Sequence, residues 1–81
     1  MTLHEALLAI QARPEMYFGP GPGVTDVFTF LMGWDMAMGT EWSRRSIEVV
    51  AGLKGTGCRV PGPEDIGFAE ALEVILGLVS G

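Results

Sequence analysis

The chain has almost none of the side chains from which reactive or metal-binding centres are made. It holds one cysteine, Cys58, one histidine, His4, and no asparagine. A lone cysteine closes no internal disulfide, and one Cys with one His completes neither a zinc set nor a catalytic dyad. A reducing, cytoplasmic location is the expectation. Basic residues are also scarce, 5 against 10 acidic ones, for a formal net charge of −5. General electrostatics therefore argue against duplex nucleic acid or an anionic membrane as partner. No apolar run approaches the roughly 18–20 residues of a membrane span, and no basic-then-apolar segment opens the chain.

What is present is apolar and compactly organised. Hydrophobic residues make up 48% and charged residues 19% of 81, too apolar for disorder and enough for one small domain over 1–81. Thr2-Leu3-His4-Glu5 forms a capping-box pattern, and Leu3, Ala6, Leu7 and Ile10 recur at helical spacing, so a helix is expected over 3–12. Pro14 ends it, because the residue before a proline is pushed out of the α region. The stretch from Arg13 to Gly23 alternates proline and glycine at its end and predicts an extended, polyproline-like loop. Within it, Met16 and Phe18 would alternate inward and Tyr17 outward.

A second helix is expected over 26–38, with Thr25 as its cap and Asp26 in its first turn. Val27, Leu31, Trp34 and Met38 form one seam; Phe28, Phe30, Met32, Met36 and Ala37 widen the apolar surface nearly all round. Asp35 interrupts an apolar side, so it needs a partner, with Arg13 or Arg59 as candidates, or it faces a ligand.

Residues 40–54 read two ways. Ile47, Val49, Ala51 and Leu53 alternate as in a strand, and a β-hairpin over 45–60 would give an α+β fold. A helix over 41–54 accounts for more residues. It uses Thr40 as a cap, the Arg44–Glu48 spacing, Lys54 in the last turn and Gly55 just past the end. Its apolar face would hold Trp42, Val49, Val50 and Leu53, opposite Arg44, Arg45 and Glu48. Pro63, Glu64 and Asp65 then suggest the start of a last helix over 63–79. The fold class is thus mainly α, a small bundle of about four helices.

The wide apolar arcs of the second and last helices exceed what one core of this size would cover, since a folded chain of this mass exposes only about 4,700 Å². A homo-oligomer, with a dimer favoured, is the expectation. Lys54-Gly55-Thr56-Gly57 lacks the rest of a phosphate-binding loop, and no cofactor fingerprint or nucleophile–base pair is present. The chain reads as a non-enzymatic binding protein acting by protein–protein contact. The alternative is an oligomer that sequesters a small anionic ligand such as a nucleotide signal. Arg13, Arg44, Arg45 and Arg59 would supply charge for a phosphate, Tyr17, Trp34 and Trp42 stacking surfaces, and Asp35 a ligand-facing carboxylate.

Arg13-Pro14-Glu15-Met16-Tyr17-Phe18-Gly19, preceded by a short helix, resembles the Arg-Pro-x-Met-Tyr-(apolar)-Gly signature near the start of the ATPase domain of DNA gyrase B and related type II topoisomerases. The likeness covers about 13 residues of the 81. That family places a water-activating Glu and a magnesium-holding Asn on the next helix. Here Val27 to Met36 contains neither, so the resemblance implies no catalytic residue. The same motif followed by Phe30-Leu31-Met32-Gly33-Trp34 also resembles small bacterial proteins, some of immunity-like or accessory type. That likeness implies a binding role of bacterial or phage kind.

Overall fold

A computed structural model describes residues 1–80; Gly81, the last residue of the expected domain, lies outside the described residues. Five helices follow in order: α1 (Leu3–Ala12), α2 (Pro14–Phe18), α3 (Val24–Met38), α4 (Trp42–Lys54) and α5 (Phe68–Ser80). The described residues hold no strand, so the fold is an all-α bundle and the hairpin alternative over 45–60 is excluded. α1 packs on α5, α3 on α4 and α5, and α4 on α5. Leu7 and Ile10 of α1, Val24, Val27, Phe28 and Leu31 of α3, Val50 of α4, and Leu72 and Ile75 of α5 meet in one core with Ile66.

The start of α1 follows its sequence closely. The Glu5 amide donates to the Thr2 hydroxyl at 3.1 Å, and the Thr2 amide donates to the Glu5 carboxylate at 2.8 Å. Two amides with no intrahelical partner are thereby satisfied.

The segment after it differs from expectation. Residues 14–18 are not extended but form the single-turn helix α2, with Pro14 at its first position. A proline there loses no hydrogen bond, because that amide would be unpaired in any case. Helical geometry breaks the expected alternation: Phe18 turns inward, while Met16 and Tyr17 are both exposed. Phe18 meets Phe30 and Phe68 edge-on, at centroid distances of 6.5 and 6.0 Å, and so seats α2 on α3 and α5.

α3 begins two residues earlier than expected. Its cap is Gly23, not Thr25, and the Gly23 amide donates to the Asp26 carboxylate at 2.8 Å. α4 matches its expected span, but its buried face is different. Ser46, Val50 and Ala51 are buried and Ile47 partly so, while Val49 and Leu53 point outward. Gly55, at φ 67°, ends α4 in the left-handed conformation, and the amides of Gly55 and Thr56 both donate to the Ala51 carbonyl.

The last helix starts at Phe68 rather than near residue 63. Residues 63–65 form a turn instead, closed by the Asp65 amide on the Gly62 carbonyl at 2.9 Å. That turn drives Ile66 into the core. The apolar arc of α5 is covered within the chain. Ala71, Leu72 and Ile75 are buried, and Phe68, Val74, Leu76 and Val79 pack against the core. The total accessible surface, 4779 Å², is ordinary for this mass. Apolar side chains remain exposed on α3 at Met32, Met36 and Met38, on α4 at Val49 and Leu53, and elsewhere at Leu8, Met16, Tyr17 and Val60.

Candidate functional site

Asp35 organises the corner between α3 and α4. α3 ends on Gly39 in the left-handed conformation, and the chain turns into α4 within three residues. The residue at the cap of α4, Glu41, contributes no side-chain bond. Asp35, one turn back along α3, does the capping instead. Its Oδ1 accepts from the Thr40 hydroxyl at 2.6 Å and the Trp42 amide at 2.9 Å. Its Oδ2 accepts from the Ser43 amide at 2.8 Å and the Ser43 hydroxyl at 2.6 Å.

This carboxylate sits at the positive end of α4 and satisfies two of its free amides. Burial pushes the Asp35 pKa up, but the hydroxyls of Ser43 and Thr40 and the amides of Ser43 and Trp42 outweigh it, and the net shift is downward. Neither Arg13 nor Arg59 is its partner, because the buried-side charge is balanced by hydrogen bonds and the helix terminus. With each oxygen accepting two hydrogen bonds, Asp35 holds the corner together rather than facing a ligand.

Trp42, half-buried against the core, borders an outward strip on α4. The Arg45 guanidinium lies over its ring, 4.8 Å from the centroid. From Arg45, Val49 and Leu53 continue the strip at spacings of four residues, 41% and 59% exposed. Arg44 points elsewhere, loosely paired with Glu41 at 3.8 Å and open to water on both sides.

Arg59 belongs to a different region. Its guanidinium grips Asp65 with two bonds of 2.6 and 2.9 Å and reaches Glu64 at 3.3 Å. The Thr56 hydroxyl donates to the Arg59 carbonyl, and the Gly62 amide donates to Asp65. These bonds staple the loop between α4 and α5. The Arg59 fork, aided by the Gly62 amide, lowers the Asp65 carboxyl to about 2. An open groove of about 670 Å³ runs between α4 and this loop, lined by Ile47, Glu48, Ala51, Gly52, Cys58 and Arg59 among others. With Arg59 held by two carboxylates and Glu48 on the wall, the groove offers an anion no free cation.

Trp34 lies half-buried in an aromatic row, tilted against Phe30 at 6.2 Å, and serves packing. Arg13 and Tyr17 are exposed at the α1–α2 junction. Among the described residues, Arg13 forms no ion pair. Of the eight candidates, then, contacts join Asp35 to Trp42 and Trp42 to Arg45. Arg13, Tyr17, Trp34, Arg44 and Arg59 do not converge with them on one pocket.

The outward residues Thr25, Thr29, Met32, Gly33, Met36 and Ala37 of α3 are all exposed, and the half-buried Asp26 lies on the same row as Thr29 and Gly33. The only charged residues of α3 are Asp26 and Asp35, and both carboxylates are held by capping bonds. Asp26, Thr29 and Gly33 form a narrow polar strip along α3, with Met32 and Met36 beside it. No protein-family model, curated protein or solved structure matches this chain.

Proposed function

We propose that the protein is a non-enzymatic binding module of the small bacterial or phage kind, an immunity, inhibitor or regulatory factor, that works by protein–protein contact as a homo-oligomer. One observation carries this reading. Exposed apolar side chains include Val49 and Leu53 on α4 and Met32, Met36 and Met38 on α3, whereas Asp35 and Arg59 are tied into holding helices and loops together. On α4, Trp42 with Arg45 stacked on it, then Val49 and Leu53, make an anchor strip of the residue types that dominate protein interfaces. This strip is the surface we assign to the partner protein.

Sequestration of an anionic ligand is the weaker reading. It would need several arginines around one cavity, and the one beside the groove is already paired. Two measurements separate the readings. Capture of a partner by the immobilised protein, lost in Leu53→Glu with the helical circular dichroism unchanged, supports contact. A melting point raised by one member of a panel of mono-, di- and cyclic nucleotides, and restored to baseline in Arg45→Ala, supports sequestration and refutes contact.

A further inference from the structure

We propose that the groove between α4 and the loop leading to α5 receives an arginine side chain of the partner protein. The inference rests on the contact reading above and gives the chemistry by which that partner is held.

The first argument is charge. Glu48 stands on the groove wall, and among the described residues no cation lies within ion-pair distance of its carboxylate. The two arginines one turn before it on α4 are engaged elsewhere. Arg44 lies 3.8 Å from Glu41, and Arg45 lies over the Trp42 ring at 4.8 Å. Arg59, on the loop side of the groove, is matched by both Asp65 and Glu64. The lining and the groups bonded to it thus hold three carboxylates, Glu48, Glu64 and Asp65, against the one guanidinium of Arg59. A cation is attracted there and an anion is not. The chain as a whole, at −5, draws a basic partner in the same sense.

The second argument is shape. The groove holds about 670 Å³, ample room for one extended side chain. Ile47, half-buried, and Ala51, buried, give it an apolar floor. Gly52 follows Glu48 by four residues and Val49 by three, so it lies between the groove and the outward strip of α4. A Cβ at Gly52 would meet nothing within 4 Å, so the edge between strip and groove is open. A partner resting on Val49 and Leu53 can pass one long side chain over Gly52. Its methylenes then lie on Ile47 and Ala51, and its charged head reaches Glu48.

The third argument is the match of arginine to both features. Its stem is long and aliphatic, and its planar head bonds a carboxylate through two N–H groups. The guanidinium is also more weakly hydrated than an ammonium, so it gives up less on leaving water.

Amide NMR of the full chain, titrated at low ionic strength with N-acetyl-arginine methylamide, tests the proposal. Saturable shifts are expected at Glu48, Gly52 and Gly57, which flank the groove. The neutral isostere, N-acetyl-citrulline methylamide, should bind about threefold to fivefold more weakly, the weight of one surface charge pair. Glu48→Gln should weaken the arginine compound by the same factor, whereas Glu73→Gln, on the exposed side of α5, should leave it unchanged. Both positions are exposed, so both variants should fold; unchanged far-UV circular dichroism checks that. Equal binding of the two compounds, shifts only outside the groove, or an affinity unchanged in Glu48→Gln overturns the proposal. If Leu53→Glu still abolishes partner capture in that case, the contact reading stands and only the occupant of the groove is wrong.

Discussion

Replacing Asp35 by alanine removes one acceptor from four donors at once: the Trp42 and Ser43 amides and the Thr40 and Ser43 hydroxyls. Loss of a helix cap costs about 0.5–2 kcal/mol. Loss of the negative charge at the helix start adds about 0.3–1 kcal/mol. The hydroxyls lie near water and recover most of their bonding there, so they contribute little. The expected destabilisation is about 1–3 kcal/mol, and a domain of this size melts about 4–8 °C lower per kcal/mol. Asp35→Asn keeps the shape and one good acceptor, and should lose about half as much.

The pH dependence follows from the lowered Asp35 pKa. A carboxyl with a depressed folded-state pKa contributes stability above its unfolded value, near 3.9, and loses it as the pH falls through the folded value. The parent should therefore weaken below about pH 4, and part of that acid limb should vanish in Asp35→Ala. Urea unfolding followed by far-UV circular dichroism, at neutral and acid pH, measures both effects. An alanine variant within about 0.5 kcal/mol of the parent at neutral pH refutes the capping role.

Other substitutions probe the remaining joints of the fold. Ser46 is fully buried and its hydroxyl has no partner, so Ser46→Ala should stabilise by about 1 kcal/mol in the same urea assay. Gly55→Ala forces an L side chain to φ 67° and should destabilise by about 1–2 kcal/mol. In Arg59→Ala, NMR titration should show the Asp65 carboxyl rising from about 2 toward its ordinary range. It should stop short of it, because the Gly62 amide still donates to it; a midpoint that stays at about 2 would mean that Arg59 is not what lowers it.

Much of the bundle was legible because local chemistry and tertiary packing agree. The Thr2–Glu5 pair fixes the start of α1 whatever surrounds it. Gly55 stops α4 where a left-handed residue is needed. The errors arose where a local signal had a second meaning. Pro63, Glu64 and Asp65 look like the start of a helix, but Glu64 and Asp65 are claimed by Arg59 across the loop. Pro14 looks like a terminator and also starts α2.

The candidate site was less legible, since it depends on which helix face is covered. Val49 and Leu53 seemed core-forming by hydropathy, yet α4 buries the side carrying Ser46 and Val50, with Trp42 partly buried at its edge. Asp35 was singled out correctly as a group that needs partners. Those partners lie seven and eight residues on, across a turn, where helical periodicity no longer relates positions.

The mass of the full chain in solution bears most directly on the idea that this molecule acts through its surfaces. A species of at least twice 8.7 kDa at micromolar concentration is the predicted result. A parent that scatters as one copy across the micromolar range would contradict it.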